Sequence, residues 1–599
     1  MGMETFEPTR EQRAVIEHEG SHLLVFAGPG TGKTETLARR FAWLVAKRGV
    51  APDEILVLTF SRHAADSMRE RIVMRLREAS AGAFAVRELH VRTFHGFCAR
   101  LIDGDASRSR KRRLLTTITE RLLFQHVVAR TPLRSIPAEA LTSTQFATDA
   151  LTFLAQVRGQ GANAEDLARI AREASDIRLA DLAALCKALD AERARLGMSD
   201  FRDYVTDAVA ALGDPDSPAS RWWRARNFAH ILVDEFQDSD AVQLRLLELL
   251  AGDARMVRDP RPAICFVGDV NQSIYRFRGA NPANVMQVSA RFACIPLRLT
   301  ANRRSAQAIL DIANATQSLD PRSLTQAENQ DLVGSVTLRR PATREDEAAS
   351  IADDVAERVT AGTSPQQIAV LLRAVEPLRT LIAAALVERG VPVAAHAGAG
   401  IHDDPLIAAI GAALSLTHAP NDAERWMALL VNPLIGYRAV TVRMALRDPA
   451  VVPLAALIAE PPQGRRSFAE FVAAWRRVVY VRAKQEPDEF LATVVRELDL
   501  LGAVRDGSEI PGFDPRVSPR RLESLVAAAR DLRSVLSGLG SGAYTTAKFI
   551  EEYEEVVALL GDADEPPDAG GVRVMSIHAA KGLEFDAVVV PQALDGVLP

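Results

Sequence analysis

The sequence predicts an α/β protein built on parallel sheets, and three stretches carry that prediction. In Leu23–Thr34 (LLVFAGPGTGKT) an apolar run enters a helix-like segment through a turn rich in glycine. The same strand-then-helix order returns at Glu54–Phe60 (EILVLTF) and at Val91–Phe97 (VRTFHGF), which favours parallel strands joined by crossover helices. At His230–Asp238 (HILVDEFQD) an apolar strand delivers two adjacent carboxylates. Polar residues at the carboxyl ends of such strands line the ligand crevice of a parallel sheet.

The first stretch fits the phosphate-loop pattern G-x-x-x-x-G-K-[ST] in its required setting of strand, turn and helix. Gly28, Gly30, Thr31 and Gly32 let backbone N–H groups converge on phosphate oxygens, and the helix N-terminus adds its positive end. Lys33 then reaches the β- and γ-phosphates, and the Thr34 hydroxyl holds Mg²⁺. Upstream, Thr9 is placed to cap a short helix from which Gln12 projects. A glutamine amide offers a donor and an acceptor to an adenine edge, although an isolated glutamine is more often a surface residue.

Arg62–Arg77 reads as an amphipathic helix with Ala64, Ala65, Met68 and Ile72 on its apolar side. Asp105–Ala225 is helical in pattern and reads as an insertion between strands. Its opening cluster Arg108, Arg110, Lys111, Arg112 and Arg113 is either a phosphate contact or a solvated helix start. The sheet resumes with the acidic strand, where Asp234 binds Mg²⁺ and Glu235 orients the attacking water. Ala263–Asp269 is a further strand ending in an acid, and Gln272 beyond it is placed to sense the γ-phosphate. Tyr275 and Phe277, interleaved with Arg276 and Arg278, suit base stacking and phosphate contact, or else an aromatic pair buried between domains. A second α/β block follows from Leu297–Ser305, with strand signals at Gly334–Arg339 and Ile368–Arg373. A long helical stretch then runs to Gly561–Gly571, and His578 and Lys581 follow a last strand end.

Composition bounds the rest. A chain of 599 residues exceeds one core and implies about three or four domains. Apolar residues at 48% and charged residues at 25% describe ordinary globular material. The net charge of −5 does not describe a protein coated for nucleic acid, but a basic groove can sit on an acidic molecule. Cys98, Cys186, Cys265 and Cys294 make no C-x-x-C pair and read as thiols in a reducing compartment. The sequence shows neither a signal peptide nor an apolar span of membrane length, so a cytoplasmic location is expected.

Taken in order, AGPGTGKT at 27–34, LTFSRHAADSMRERI at 58–72, RTFHGFC at 92–98, VDEFQDSD at 233–240, VGDVNQSIYRFRGA at 267–280 and IHAAKGLEF at 577–585 resemble the motifs of the UvrD/Rep/PcrA superfamily 1 DNA helicases. The resemblance implies two RecA-like P-loop NTPase motor domains, each with a mainly helical insertion. On that plan residues 1–104 and 226–290 form motor domain 1 around an insertion at 105–225. Residues 291–375 and 566–599 form motor domain 2 around an insertion at 376–565. It further implies an ATP- and Mg²⁺-dependent 3′→5′ helicase or translocase on single-stranded DNA and single/double-strand junctions, in repair or recombination, with no membrane partner.

By match to the motifs, Gln12 meets adenine, Lys33, Asp234, Glu235 and Gln272 perform hydrolysis, and Thr34 with Asp234 holds the metal. Arg304 reaches the γ-phosphate from the second motor domain, and Glu584 joins the nucleotide set. Phe60, His95, Tyr275, Phe277 and His578 border the DNA. The chain also departs from the family pattern. Arg303 replaces a tyrosine that stacks on adenine, Phe277 replaces a tryptophan, and Glu35 stands where many members carry arginine. The motif expected after the last strand, with a second γ-phosphate arginine, is not in this sequence, which reads as an N-terminal fragment of a longer protein. Two alternatives remain: the motor portion of a helicase–nuclease complex with a partner subunit, for double-strand break processing, or a non-unwinding ATP-dependent DNA-binding subunit.

Overall fold

The structure, a computed structural model, describes residues 7–593 except 80–88, 103–112, 138–142, 201, 253–261, 275–282, 317–324, 329–332, 374–377, 395–400, 402–403, 509, 516, 538–543 and 562–569. The chain divides into two compact units. One is Met1–Thr116 with Phe124–Leu338, and the other is Thr117–Leu123 with Arg339–Pro599.

The first unit is organised by a six-stranded sheet. Its strands are β1 (Leu23–Ala27), β2 (Ile55–Thr59), β3 (His90–Thr93), β4 (His230–Val233), β5 (Ala263–Gly268) and β6 (Ile295–Leu299). They lie in the order β3-β2-β4-β5-β1-β6, and every pairing is parallel. β1 and β2 are buried along their whole length, as strands covered on both faces must be. Alternation along β1 sorts its residues between two cores. Leu23, Val25 and Ala27 join Leu37, Phe41, Met68 and Ile72 on one side. Leu24 and Phe26 join Phe94, Phe97, Trp223 and Phe266 on the other.

Four helices set the site. Helix α1 (Arg10–Ile16) opens with a capping box: Thr9 Oγ1 accepts from Gln12 N and Gln12 Oε1 accepts from Thr9 N. Helix α2 (Lys33–Arg48) is bounded by Gly32 and Gly49, both left-handed. Its buried Arg40 donates to the carbonyls of Val15, Ile16 and His18, at 2.6, 3.3 and 3.0 Å, so a guanidinium satisfies the orphan carbonyls where α1 ends. In helix α3 (Arg62–Ala79) the buried face is Ala65, Met68, Ile72 and Leu76. Ala64, expected there, is half-buried. Helix α4 (Phe94–Ile102) buries Phe94, Phe97, Cys98 and Leu101.

Several boundaries differ from expectation. β6 pairs with β1 from Leu23↔Ile295 to Ala27↔Leu299, so the first sheet runs past residue 290. The helices Asp203–Gly213 and Pro218–Ala225, expected within the insertion, bury Tyr204, Val205, Leu212 and Trp223 in the core of that sheet. Gly334–Arg339 forms no strand. Val333, Val336 and Leu338 are exposed there, so its alternation has no buried face to serve.

The second unit has its own parallel sheet, with β7 (Ile368–Leu372) between β8 (Arg573–Ser576) and β9 (Ala587–Val589). Helices Arg344–Thr360 and Leu378–Glu388 cover it through Ile351, Val355, Ile382 and Leu386. The second of these helices was expected in the insertion, but its apolar face belongs to the sheet. The helical body has a separate core in which Trp426 and Trp475 meet edge to face at 5.1 Å. There the buried Asp404 caps one helix by accepting from Leu406 N and pairs with Arg521 at 3.0 Å.

No helix among the described residues is long and apolar enough to cross a membrane. All four cysteines are buried free thiols.

Candidate active site

Sheet order assembles the site. β5 lies between β4 and β1, and parallel strands all end on the same edge. The loop after β1, the acids after β4 and the turn after β5 therefore converge in one crevice. Gly30 and Gly32 have φ of +68° and +77°, a region costly for other residues. Thr31 Oγ1 donates to the Gly28 carbonyl at 2.8 Å, and Thr36 Oγ1 to the Gly32 carbonyl at 2.9 Å. These bonds fix the loop so that its N–H groups and the α2 N-terminus form an anion cradle.

Asp234 follows β4 and keeps its N–H on the Leu58 carbonyl at 3.0 Å. Its buried carboxylate accepts from Thr34 Oγ1 at 3.2 Å and from Glu235 N at 3.0 Å. Burial, then the Glu235 charge, raise its pKa well above the carboxylate range, and Lys33 and the Thr34 bond oppose them. A divalent cation would favour the ionised carboxylate against this burial, and Asp234 with the Thr34 hydroxyl beside it offers such a cation two oxygens. Magnesium commonly takes one or two protein oxygens and completes its shell with phosphate and water. Among the described residues no larger cluster of ligating side chains exists.

The remaining polar groups close into a ring. Lys33 Nζ donates to Gln272 Oε1 at 3.1 Å and stands 3.8 Å from Glu235 Oε1. Gln272 Nε2 donates to Asp269 Oδ2 at 2.7 Å. The Asp269 N–H donates to Gln237 Oε1 at 2.9 Å, and Gln237 Nε2 donates to Glu235 Oε2 at 2.5 Å. Glu235 itself has φ of +52°, a strained backbone for a residue other than glycine. The ammonium of Lys33 thus stands between the Gln272 amide and the Glu235 carboxylate.

Gln12 is buried and donates from Nε2 to the Thr31 carbonyl at 3.0 Å. Its amide therefore supports the phosphate loop as well as the α1 cap, and its second N–H and second lone pair are what remain for a base. Arg304 is exposed and lies in the same compact unit as the phosphate loop. The cause is the segment after β6. Thr300 N and Oγ1 donate to the Glu11 carboxylate at 2.7 and 2.9 Å, and Asn302 Nδ2 donates to the Pro29 carbonyl at 2.6 Å. Arg303 N donates to the Gly30 carbonyl at 3.0 Å. The Arg303 guanidinium pairs with Glu328 and donates to the Glu7 carbonyl. Glu35 takes Arg39 at 2.5 Å and Arg75 at 2.8 Å.

The residues expected beside DNA fall in both units. Phe60 is half-buried at the end of β2. His95 sits on α4, its pKa lowered by burial against a raising charge from Asp200. His578 lies in the turns after β8 and the exposed Glu584 just beyond them, in the second unit. Tyr275, Phe277 and most of the Arg108–Arg113 cluster lie outside the described residues. Sequence reasoning missed Gln237 and Asn302 as site residues. A buried-strand signal followed by a polar side chain was visible for both, but nothing in the order of residues says where the amides point.

The UvrD/REP helicase N-terminal domain matches residues 8–293, and the UvrD-like helicase C-terminal domain matches 517–599. An ATP-dependent DNA helicase UvrD1 of Mycobacterium tuberculosis is 29% identical over 98% of this chain and 77% of its own length. An ATP-dependent DNA helicase PcrA of Leuconostoc citreum is 27% identical over 98% and 77%. A DNA helicase II of Haemophilus influenzae is 25% identical over 98% and 79%.

Proposed function

The chain belongs to the UvrD/PcrA-like superfamily 1 helicases, and from that premise we propose that it is an ATP-dependent 3′→5′ helicase or translocase on single-stranded DNA, acting in repair or recombination. The observation that carries this reading is the Lys33 ammonium shared by Gln272 and Glu235. The terminal phosphates of ATP displace both groups from Lys33, which frees the Glu235 carboxylate and turns the Gln272 amide toward the γ-phosphate. Glu235 then takes the proton of an attacking water as its oxygen bonds to the γ-phosphorus. The bond to the bridging oxygen breaks, and ADP and phosphate leave. Thr34 and Asp234 would hold Mg²⁺, which would neutralise charge on the phosphates.

On this reading Phe60 and His95 of the first unit border a single strand held by stacking and phosphate contact without sequence readout. Junctions of single- and double-stranded DNA are the substrates. The test is unwinding of duplexes carrying a 3′ or a 5′ single-stranded tail. Unwinding of the 3′-tailed duplex with ATP, and not of the 5′-tailed one, supports the reading. Preference for the 5′ tail overturns the polarity.

A further inference from the structure

Gln237 has no part in the chemistry just described, yet it is fully buried and joined to three parts of the site. It lies in the single turn Phe236–Asp238 that follows Glu235. Its Nε2 donates to Glu235 Oε2 at 2.5 Å, and its Oε1 accepts from Asp269 N at 2.9 Å. Its backbone carbonyl accepts from Ser273 Oγ at 3.1 Å. Its space is reserved by Gly268, where a Cβ would stand 2.6 Å from Gln237 Oε1 and 3.2 Å from Gln237 N. Two bonds thus tie Gln237 to Asp269 and Ser273, the residues that flank the turn bearing Gln272, and a third ends on the carboxylate of Glu235.

We propose that Gln237 is a positioning residue that aims the Glu235 carboxylate and couples its orientation to the Asp269–Ser273 segment. The amide leaves no freedom in the choice of groups. Its oxygen is committed to a backbone N–H, so its nitrogen faces Glu235 and can only donate. That donation fixes one carboxylate oxygen and leaves the other, Oε1, facing Lys33. A shift of Asp269 or Ser273 moves Gln237 and with it the direction of the hydrolytic carboxylate. Misplacement of a general base costs rate without costing substrate binding.

The inference rests on the proposed ATPase, and the experiment separates the two. Steady-state ATP hydrolysis with and without oligo-dT is compared for the wild type, Gln237→Met and Gln237→Glu, with melting temperatures alongside. Met keeps the volume and loses both side-chain bonds. Glu keeps an acceptor for Asp269 N but sets a carboxylate against Glu235. The expected result for each variant is a kcat lower by roughly tenfold or more, with the KM for ATP within about twofold of wild type. If Gln237→Met proves unfolded, Gln237→Glu carries the test, because a purely space-filling role predicts its kcat unchanged. Wild-type kcat in either folded variant, or a raised KM at unchanged kcat, overturns the inference. A wild type without ATP hydrolysis fails the proposed function instead.

Discussion

The side chain of Asn302 donates to the Pro29 carbonyl, inside the phosphate loop, at 2.6 Å. Its other end accepts from the N–H groups of Arg304 and Ser305, both at 2.8 Å. One buried amide therefore links the loop that cradles phosphate to the backbone of Arg304. Asn302 also fills the space over Gly30, where a Cβ would stand 2.5 Å from its Nδ2. Replacing Asn302 with Ala removes three hydrogen bonds and leaves buried groups unsatisfied. The expected outcome is about tenfold weaker binding of a fluorescent ATP analogue. Asn302→Asp, which sets a carboxylate against a carbonyl, is expected to bind more weakly still. Equal affinity in all three proteins would show that the link plays no part in nucleotide binding.

Gly268 is the structural counterpart of Gln237. Gly268→Ala drives a methyl group toward the Gln237 amide and two backbone nitrogens, and backbone cannot retreat as a flexible side chain can. The variant is expected to lose roughly 1–3 kcal/mol of stability and to hydrolyse ATP about tenfold more slowly. Gly213, with nothing within 4 Å of its added Cβ, serves as the control. Gly213→Ala is expected to leave both hydrolysis and melting near wild type.

His230 begins β4, and burial, then the Arg40 charge, lower its pKa to about 4. The ring is therefore neutral in the folded chain, while a free histidine protonates near 6.5. Stability from this group is complete above about pH 6.5 and is lost as pH falls toward 4, because the unfolded state binds the proton first. Denaturation by urea at a series of pH values should show wild type losing up to roughly 3 kcal/mol more than His230→Phe across that interval. Parallel pH profiles would place the histidine in contact with solvent.

The core of the active site was legible because its chemistry is local in sequence. Lys33 and Thr34 come with their glycines, and Asp234 with Glu235 follows an unmistakable buried strand. What stayed hidden depends on contacts between distant residues. β6 reads as the opening of a second block because its apolar run follows a helix like any other, and only pairing with β1 assigns it to the first sheet. Arg304 follows on from it, on a segment fastened by Asn302 to the phosphate loop and by Thr300 to Glu11. Leu378–Glu388 carries the same helical periodicity as the insertion behind it, and periodicity does not say which core a face will join. Gln237 and Asn302 escaped for a related reason: an amide can donate or accept, and its partners settle which.

The most direct test of the account is ATP hydrolysis with and without single-stranded DNA, in wild type and in Glu235→Gln. If the ring from Lys33 through Gln272, Asp269 and Gln237 to Glu235 is the hydrolytic centre of a DNA-driven motor, wild-type turnover rises when DNA is added. Glu235→Gln should still bind nucleotide while hydrolysing it at least about a hundredfold more slowly. Hydrolysis indifferent to DNA, or a Glu235→Gln protein as active as wild type, would contradict it.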